Sequence, residues 1–134
     1  MRRDKMPIKE DNNFGEITIS ENVLRDITYK TIENFLMEEK IYTNKVQKEL
    51  MKNIKIANND DGSLSVFLRI PAKYGENIVE FSKKAQKIIK EELEKMSEIF
   101  ITNVDISIEN LEYPMTEENE SEEVVEENKE KWDE

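Results

Sequence analysis

Residues Tyr74 to Leu111 read YGENIVEFSKKAQKIIKEELEKMSEIFITNVDISIENL. A Tyr-Gly turn is followed by Ile78, Phe81, Ala85, Ile88, Ile89, Leu93 and Met96. At about 100° per residue these fall on one side of a helix, which the pattern predicts over roughly 76–97. The period then drops to two: Val104, Ile106 and Ile108 alternate with Asp105, Ser107 and Glu109, as in a half-buried strand. One residue breaks the helical stripe. Glu92 falls between Ile88 and Met96, and burying a lone carboxylate is unfavourable. Either the core is open at that turn or a partner covers it.

The same reasoning extends upstream. Gly15 to Ser20, GEITIS, alternates Ile17 and Ile19 and reads as a short strand. Ser20 suits a helix N-cap, and a helix over about 21–39 follows, with Val23, Leu24, Ile27 and Phe35 as its apolar stripe and Thr31 at a smaller position. Between 41 and 53 the signal is thin, with Val46, Leu50 and Met51 permitting a short helix after Thr43. Ile54 and Ile56 then begin a hairpin whose turn is Asn58 to Gly62 and whose second strand carries Leu64, Val66, Leu68 and Ile70. Pro71 cannot donate to a ladder and is expected to end that strand.

The resulting order is strand-helix-strand-strand-helix-strand, an α+β plan with two helices packed on one face of a small mixed sheet. Three regions follow: a loose arm over 1–13, the folded domain over 14–113, and an acidic tail over 114–134 expected to be disordered. The formal net charge of −11 resides mainly in that tail, where Thr116 to Glu134 hold ten acids and two lysines. The rest of the chain is close to neutral and makes no strong electrostatic claim on a partner.

Composition excludes several chemistries. There is no cysteine and no histidine. Without histidine the chain lacks the usual general base near neutral pH, and no Ser-His-Asp or Cys-His arrangement can be built within it. Carboxylate and lysine chemistry remain open. The N-terminal MRRDKMPIKEDNN has no apolar core of a secretory signal, and no run is apolar enough to span a bilayer, so a cytoplasmic location without direct membrane insertion is expected. No cofactor, metal site or small-molecule substrate is indicated.

Each pointed reading has a plainer rival. The Asn58 to Gly62 turn lacks the spacing of a calcium loop and suits a hairpin turn needing positive φ. Lys83, Lys87 and Lys90 share the outer face of the second helix, where an anionic partner could touch them, yet Glu80, Glu91 and Glu94 lie among them at ion-pairing spacings. A solvated mixed-charge face accounts for both. A βαββαβ order raises RNA recognition by analogy, but only Phe67 on the corresponding strands offers a stacking surface. Nucleic-acid binding is not expected. Trp132, the single tryptophan, stands in KEKWDE at the end of the acidic tail. It is either a docking anchor or an unconstrained tail residue.

With the elements placed, the chain resembles the alkaline-shock protein family of bacteria, also called the YloU family. The resemblance rests on Gly15-Glu16-Ile17-Thr18-Ile19-Ser20, on Val23-Leu24 and Ile27, on Tyr74, Gly75, Ile78 and Gln86, and on Ile89-Lys90, Met96 and Val104-x-Ile106-x-Ile108. It covers about residues 15–111. The chain departs from the family at Met37-Glu38, where a Gly-Val pair is usual, at Ser97-Glu98, where a Gly is common, and at Glu92, where a small residue is usual. The resemblance implies a small cytoplasmic protein linked to cell-envelope stress, without catalytic activity, held in some members at the membrane through a membrane-anchored partner. The resulting expectation is an interaction module that self-associates or docks on an envelope-linked protein. The alternative is a regulatory subunit binding a metabolic enzyme, ahead of a nucleic-acid or ribosome-associated module. Candidate partner contacts are Lys83, Lys87, Lys90, Glu92 and Trp132.

Overall fold

The computed structural model describes residues 8–115. In order, the elements are β1 (Ile8–Asn12), β2 (Gly15–Ile19), α1 (Glu21–Glu38), α2 (Asn44–Leu50), a 3₁₀ turn over Met51–Asn53, β3 (Ile54–Asn58), β4 (Leu64–Lys73), α3 (Ile78–Ser97) and β5 (Ile101–Glu112). The expected α+β class holds, with three strands in one mixed sheet of order β3-β4-β5. The β3–β4 pair is antiparallel and the β4–β5 pair parallel. A parallel neighbour cannot be reached by a tight turn, so α3 supplies the crossover.

Two expectations need correction. β2 does not join the main sheet. It pairs antiparallel with β1, from Ile8 opposite Ile19 to Asn12 opposite Gly15. Residues 8–12, expected within a loose arm, are therefore a strand, and residues 1–7 lie outside the described residues. β4 also runs past Pro71 to Lys73. The missing amide is tolerated because the β4–β5 register shifts there, between Ile70 and Ala72, and β3 is already behind, its last pair being Ile54 with Leu68.

The core lies between the sheet and the α1–α3 layer. Leu24, Ile32, Leu36, Phe81, Ala85, Ile89 and Leu93 from the helices meet Leu64, Val66, Leu68, Ile70 and Val104 from the strands, all buried. Phe35 and Phe81 pack with ring centroids 5.1 Å apart and join the two helices directly. Fully burying a ring of this size is worth about 2–3 kcal/mol. The buried row of α1 is Leu24, Thr28, Ile32, Phe35 and Leu36, one step round from the expected stripe. Thr28 enters it because its hydroxyl donates to the Leu24 carbonyl at 3.0 Å, leaving only its methyl to be packed. Val23 is half exposed instead.

Helix ends follow from local chemistry. Asn77 caps α3, its side-chain oxygen accepting from the Glu80 N–H at 2.9 Å. Thr43 caps α2 through Val46 N–H at 3.2 Å. Ser20 takes the N-cap position of α1 with extended dihedrals, but its hydroxyl makes no capping bond. Glu98 ends α3 in the left-handed region at φ 61°, and Lys40 takes φ 68° just after α1. These two left-handed turns stand close to the places where the resembling family carries glycine. Here non-glycine residues hold the left-handed backbone, at a steric cost of about 1–2 kcal/mol each.

α3 is also tied to β5 through main-chain carbonyls. Gln86 Nε2 donates to the Val104 carbonyl at 2.9 Å, and Lys90 Nζ to the Ile101 carbonyl at 2.7 Å. A second tie joins three element ends: Lys73 pairs with Glu39 at 2.5 Å, and Lys84 with Glu76 at 2.8 Å and with Glu39 at 3.5 Å. Tyr74 stacks on Tyr113 at 4.6 Å, fastening the turn before α3 to the end of β5. Gly75 adopts φ 99° in that turn, a conformation an L side chain would strain.

Candidate functional site

On its outer side the α1–α3 layer is not closed. Val23, Ile27, Thr31 and Phe35 of α1 face Ile88, Glu92 and Met96 of α3 across a groove of about 520 Å³, rimmed by Asp26, Lys30, Asn34 and Glu38. The two helices run antiparallel here: Phe35 near the end of α1 meets Phe81 near the start of α3, while the groove takes residues from Ile88 onward. The floor is apolar. Val23 is 47% exposed and Met96 57%, while Ile27 and Ile88 are half-buried against the core.

The reason lies in α1. Its apolar and threonine positions from Val23 round to Leu36 cover an arc of roughly 220° at 3.6 residues per turn, about twice the stripe one packed face requires. The half through Leu24, Thr28, Ile32 and Leu36 meets the sheet. The other half, through Val23, Ile27 and Thr31, is left over. The sequence reading placed Val23 and Ile27 in the core. The width of the arc was the available signal that they belong to a second surface.

Glu92 sits in this groove. Its side chain is 37% exposed, and its nearest cation is Lys95 Nζ at 3.9 Å, a weak surface pair. The core is not closed at this turn. Lys30 on the opposite rim pairs with Glu33 at 3.3 Å. Asp26, Glu38 and Glu92 outnumber Lys30 among the lining residues, so the groove has a net acidic rim above an apolar floor.

The expected lysine face is not one surface. Lys83 and Lys87 are exposed, but Lys90 is bound into the structure. Its ammonium pairs with Glu94 at 3.0 Å and lies 4.6 Å from the Phe100 ring centroid, besides reaching Ile101. Glu94 in turn accepts from the Ile101 N–H at 3.0 Å. That amide first, and then Lys90, hold the Glu94 carboxyl below its usual range. Trp132 lies outside the described residues, as does the tail from 116.

The opposite face of the sheet carries Phe67, 40% exposed, among Lys55, Arg69, Asp105 and Ser107. Ile54, Val66 and Leu68 point into the core, so a single ring stands on a face of mixed charge. At the β3–β4 turn, Asp61 accepts from Ser63 Oγ at 2.6 Å and Ser63 N–H at 3.0 Å, which lowers its carboxyl pKa. Gly62 at φ 90° completes the turn. In the connection after α1, Tyr42 Oη donates to Glu33 of that helix at 2.9 Å beside Tyr29, and burial pushes the Tyr42 phenol far above its ordinary value. Among the described residues no group of three or more acidic side chains is arranged to hold a metal, and no helix is long and apolar enough to cross a membrane.

Neither the curated proteins nor the solved structures include a match to this chain. The sequence model of the alkaline shock protein 23 family, described as having a cell envelope-related function, matches residues 9–113. That span takes in both helices of the groove and every strand of the main sheet, so the chain belongs to the alkaline shock protein family.

Proposed function

We propose that this protein is a non-catalytic interaction module of the cell-envelope stress response, located in the cytoplasm and docking a membrane-anchored protein partner through the α1–α3 groove. The observation that carries the reading is the leftover apolar half of α1, open to solvent beside Glu92. Apolar side chains at a concave site framed by charge are what a protein interface uses as anchors within a polar rim. The cell envelope-related description of the family supports the setting. Sequence chemistry supports the absence of catalysis, since there is neither histidine nor cysteine and the perturbed carboxylates among the described residues, Asp61, Glu76 and Glu94, are each held by structural partners.

Affinity purification after crosslinking in cells tests this. The wild-type chain is expected to retain a membrane-fraction protein that Met96→Asp and Val23→Asp both lose while remaining folded. Retention of that protein by both variants would place the contact elsewhere. Recovery of one stoichiometric soluble enzyme instead would favour a regulatory subunit.

A further inference from the structure

We infer that the α1–α3 groove takes a basic amphipathic helix of a different protein, an apolar stripe flanked by lysine or arginine. The inference rests on the groove reading proposed above and gives its partner a chemistry. What the walls lack decides the secondary structure of the occupant. Both walls are helices, and along the middle of a helix the main-chain N–H and C=O groups are already bonded to one another. An incoming strand would find no ladder to complete and would bury its own polar backbone without partners. A helix satisfies its backbone internally and offers the groove side chains alone.

Charge sets the sign of that helix. Asp26, Glu38 and Glu92 line the groove against one lysine, Lys30, and Lys30 is already paired with Glu33 at 3.3 Å. Cations bordering the apolar stripe of the incoming helix therefore meet carboxylates at the rim, while Val23, Ile27 and Met96 receive the stripe itself. On α1 the lining runs from Val23 to Glu38, a rise of roughly 22 Å at 1.5 Å per residue, which matches a helix of about 15 residues. A second copy of this chain suits the site less well. Its own groove face would set the same carboxylates against each other. Its lysine-bearing helix α2 is seven residues long and turns Leu50 into its own core.

Three blocked synthetic peptides of equal length, titrated into the isotope-labelled full-length chain, test this by amide shifts. One carries leucine at helical spacing flanked by lysine, one the same stripe flanked by glutamate, and one the lysine composition with leucine at alternate positions. The lysine helix is expected to shift amides of 23–38 and 88–96, and the other two to bind on the order of tenfold more weakly or not at all. Glu92→Lys should narrow the gap between the lysine and glutamate helices. Met96→Asp separates seating from diffuse attraction: it adds negative charge at an exposed position, yet should weaken the lysine helix on the order of tenfold by spoiling the apolar floor. The inference is overturned if the lysine helix leaves the groove amides unmoved, if either rival peptide matches it there, or if Met96→Asp binds it undiminished. A rival peptide in the groove would leave the groove reading standing. Retention of the cellular partner by both Val23→Asp and Met96→Asp is the separate result that removes that reading.

Discussion

Glu98 shows how much one residue's backbone can matter. It closes α3 at φ 61°, a conformation glycine adopts freely and an L side chain does not. Glu98→Gly is therefore expected to stabilise the fold by about 1 kcal/mol, read as a raised denaturant midpoint at unchanged slope. Gln86 makes the opposite case. Its amide donates to the Val104 carbonyl, and Gln86→Leu is expected to cost about 1–2 kcal/mol by leaving that carbonyl without the bond. Calorimetry of the variant checks it. Glu94 gives a pH dependence whose sign is fixed. Its folded-state pKa lies below the ordinary glutamate value, so its contribution is complete above that ordinary value and is lost as pH falls through the lower folded pKa. Thermal stability should drop below about pH 4.5, and Glu94→Gln should flatten part of that drop. An unchanged acid limb in the variant would show that Glu94 is not linked to folding.

At the scale of elements, α1 and α3 are the pair on which both stability and the groove depend. Phe35 and Phe81 are their direct contact. Phe81→Ala should cost about 3–5 kcal/mol, with the loss seen in urea unfolding. What the sequence disclosed follows the physics of each element. α1 was legible at 21–39 against the observed Glu21–Glu38, and α3 at 76–97 against Ile78–Ser97, because long amphipathic periods are strong local signals. Asn77 moved the start of α3 because its side chain caps the next turn. The β1 strand was not legible: IKEDN lacks a sustained apolar alternation, and its pairing with β2 is a tertiary event. Nor did Pro71 terminate β4, since the register shift beside it depends on a neighbour that is distant in sequence. Glu92 was visible as an anomaly in the sequence. The α1 residues that share its groove were not, because membership of one face or the other of a wide apolar arc is decided only by how the helix is rolled on the sheet.

For the molecule as a whole, one side of the helix layer is consumed by the core and the other retains an apolar floor with a net acidic rim. The sheet's outer face offers a single half-exposed ring amid mixed charge. The groove is therefore a surface on which an interaction function gains from burial, at about 25 cal/mol per Å² of apolar area covered. Site-specific photocrosslinking in living cells tests this most directly, with a photoreactive residue placed in turn at Val23, at Met96 and at Phe67. One partner band is expected from both groove positions, recovered with the membrane fraction, and none from Phe67. A band from Phe67 with none from Val23 or Met96 would contradict it.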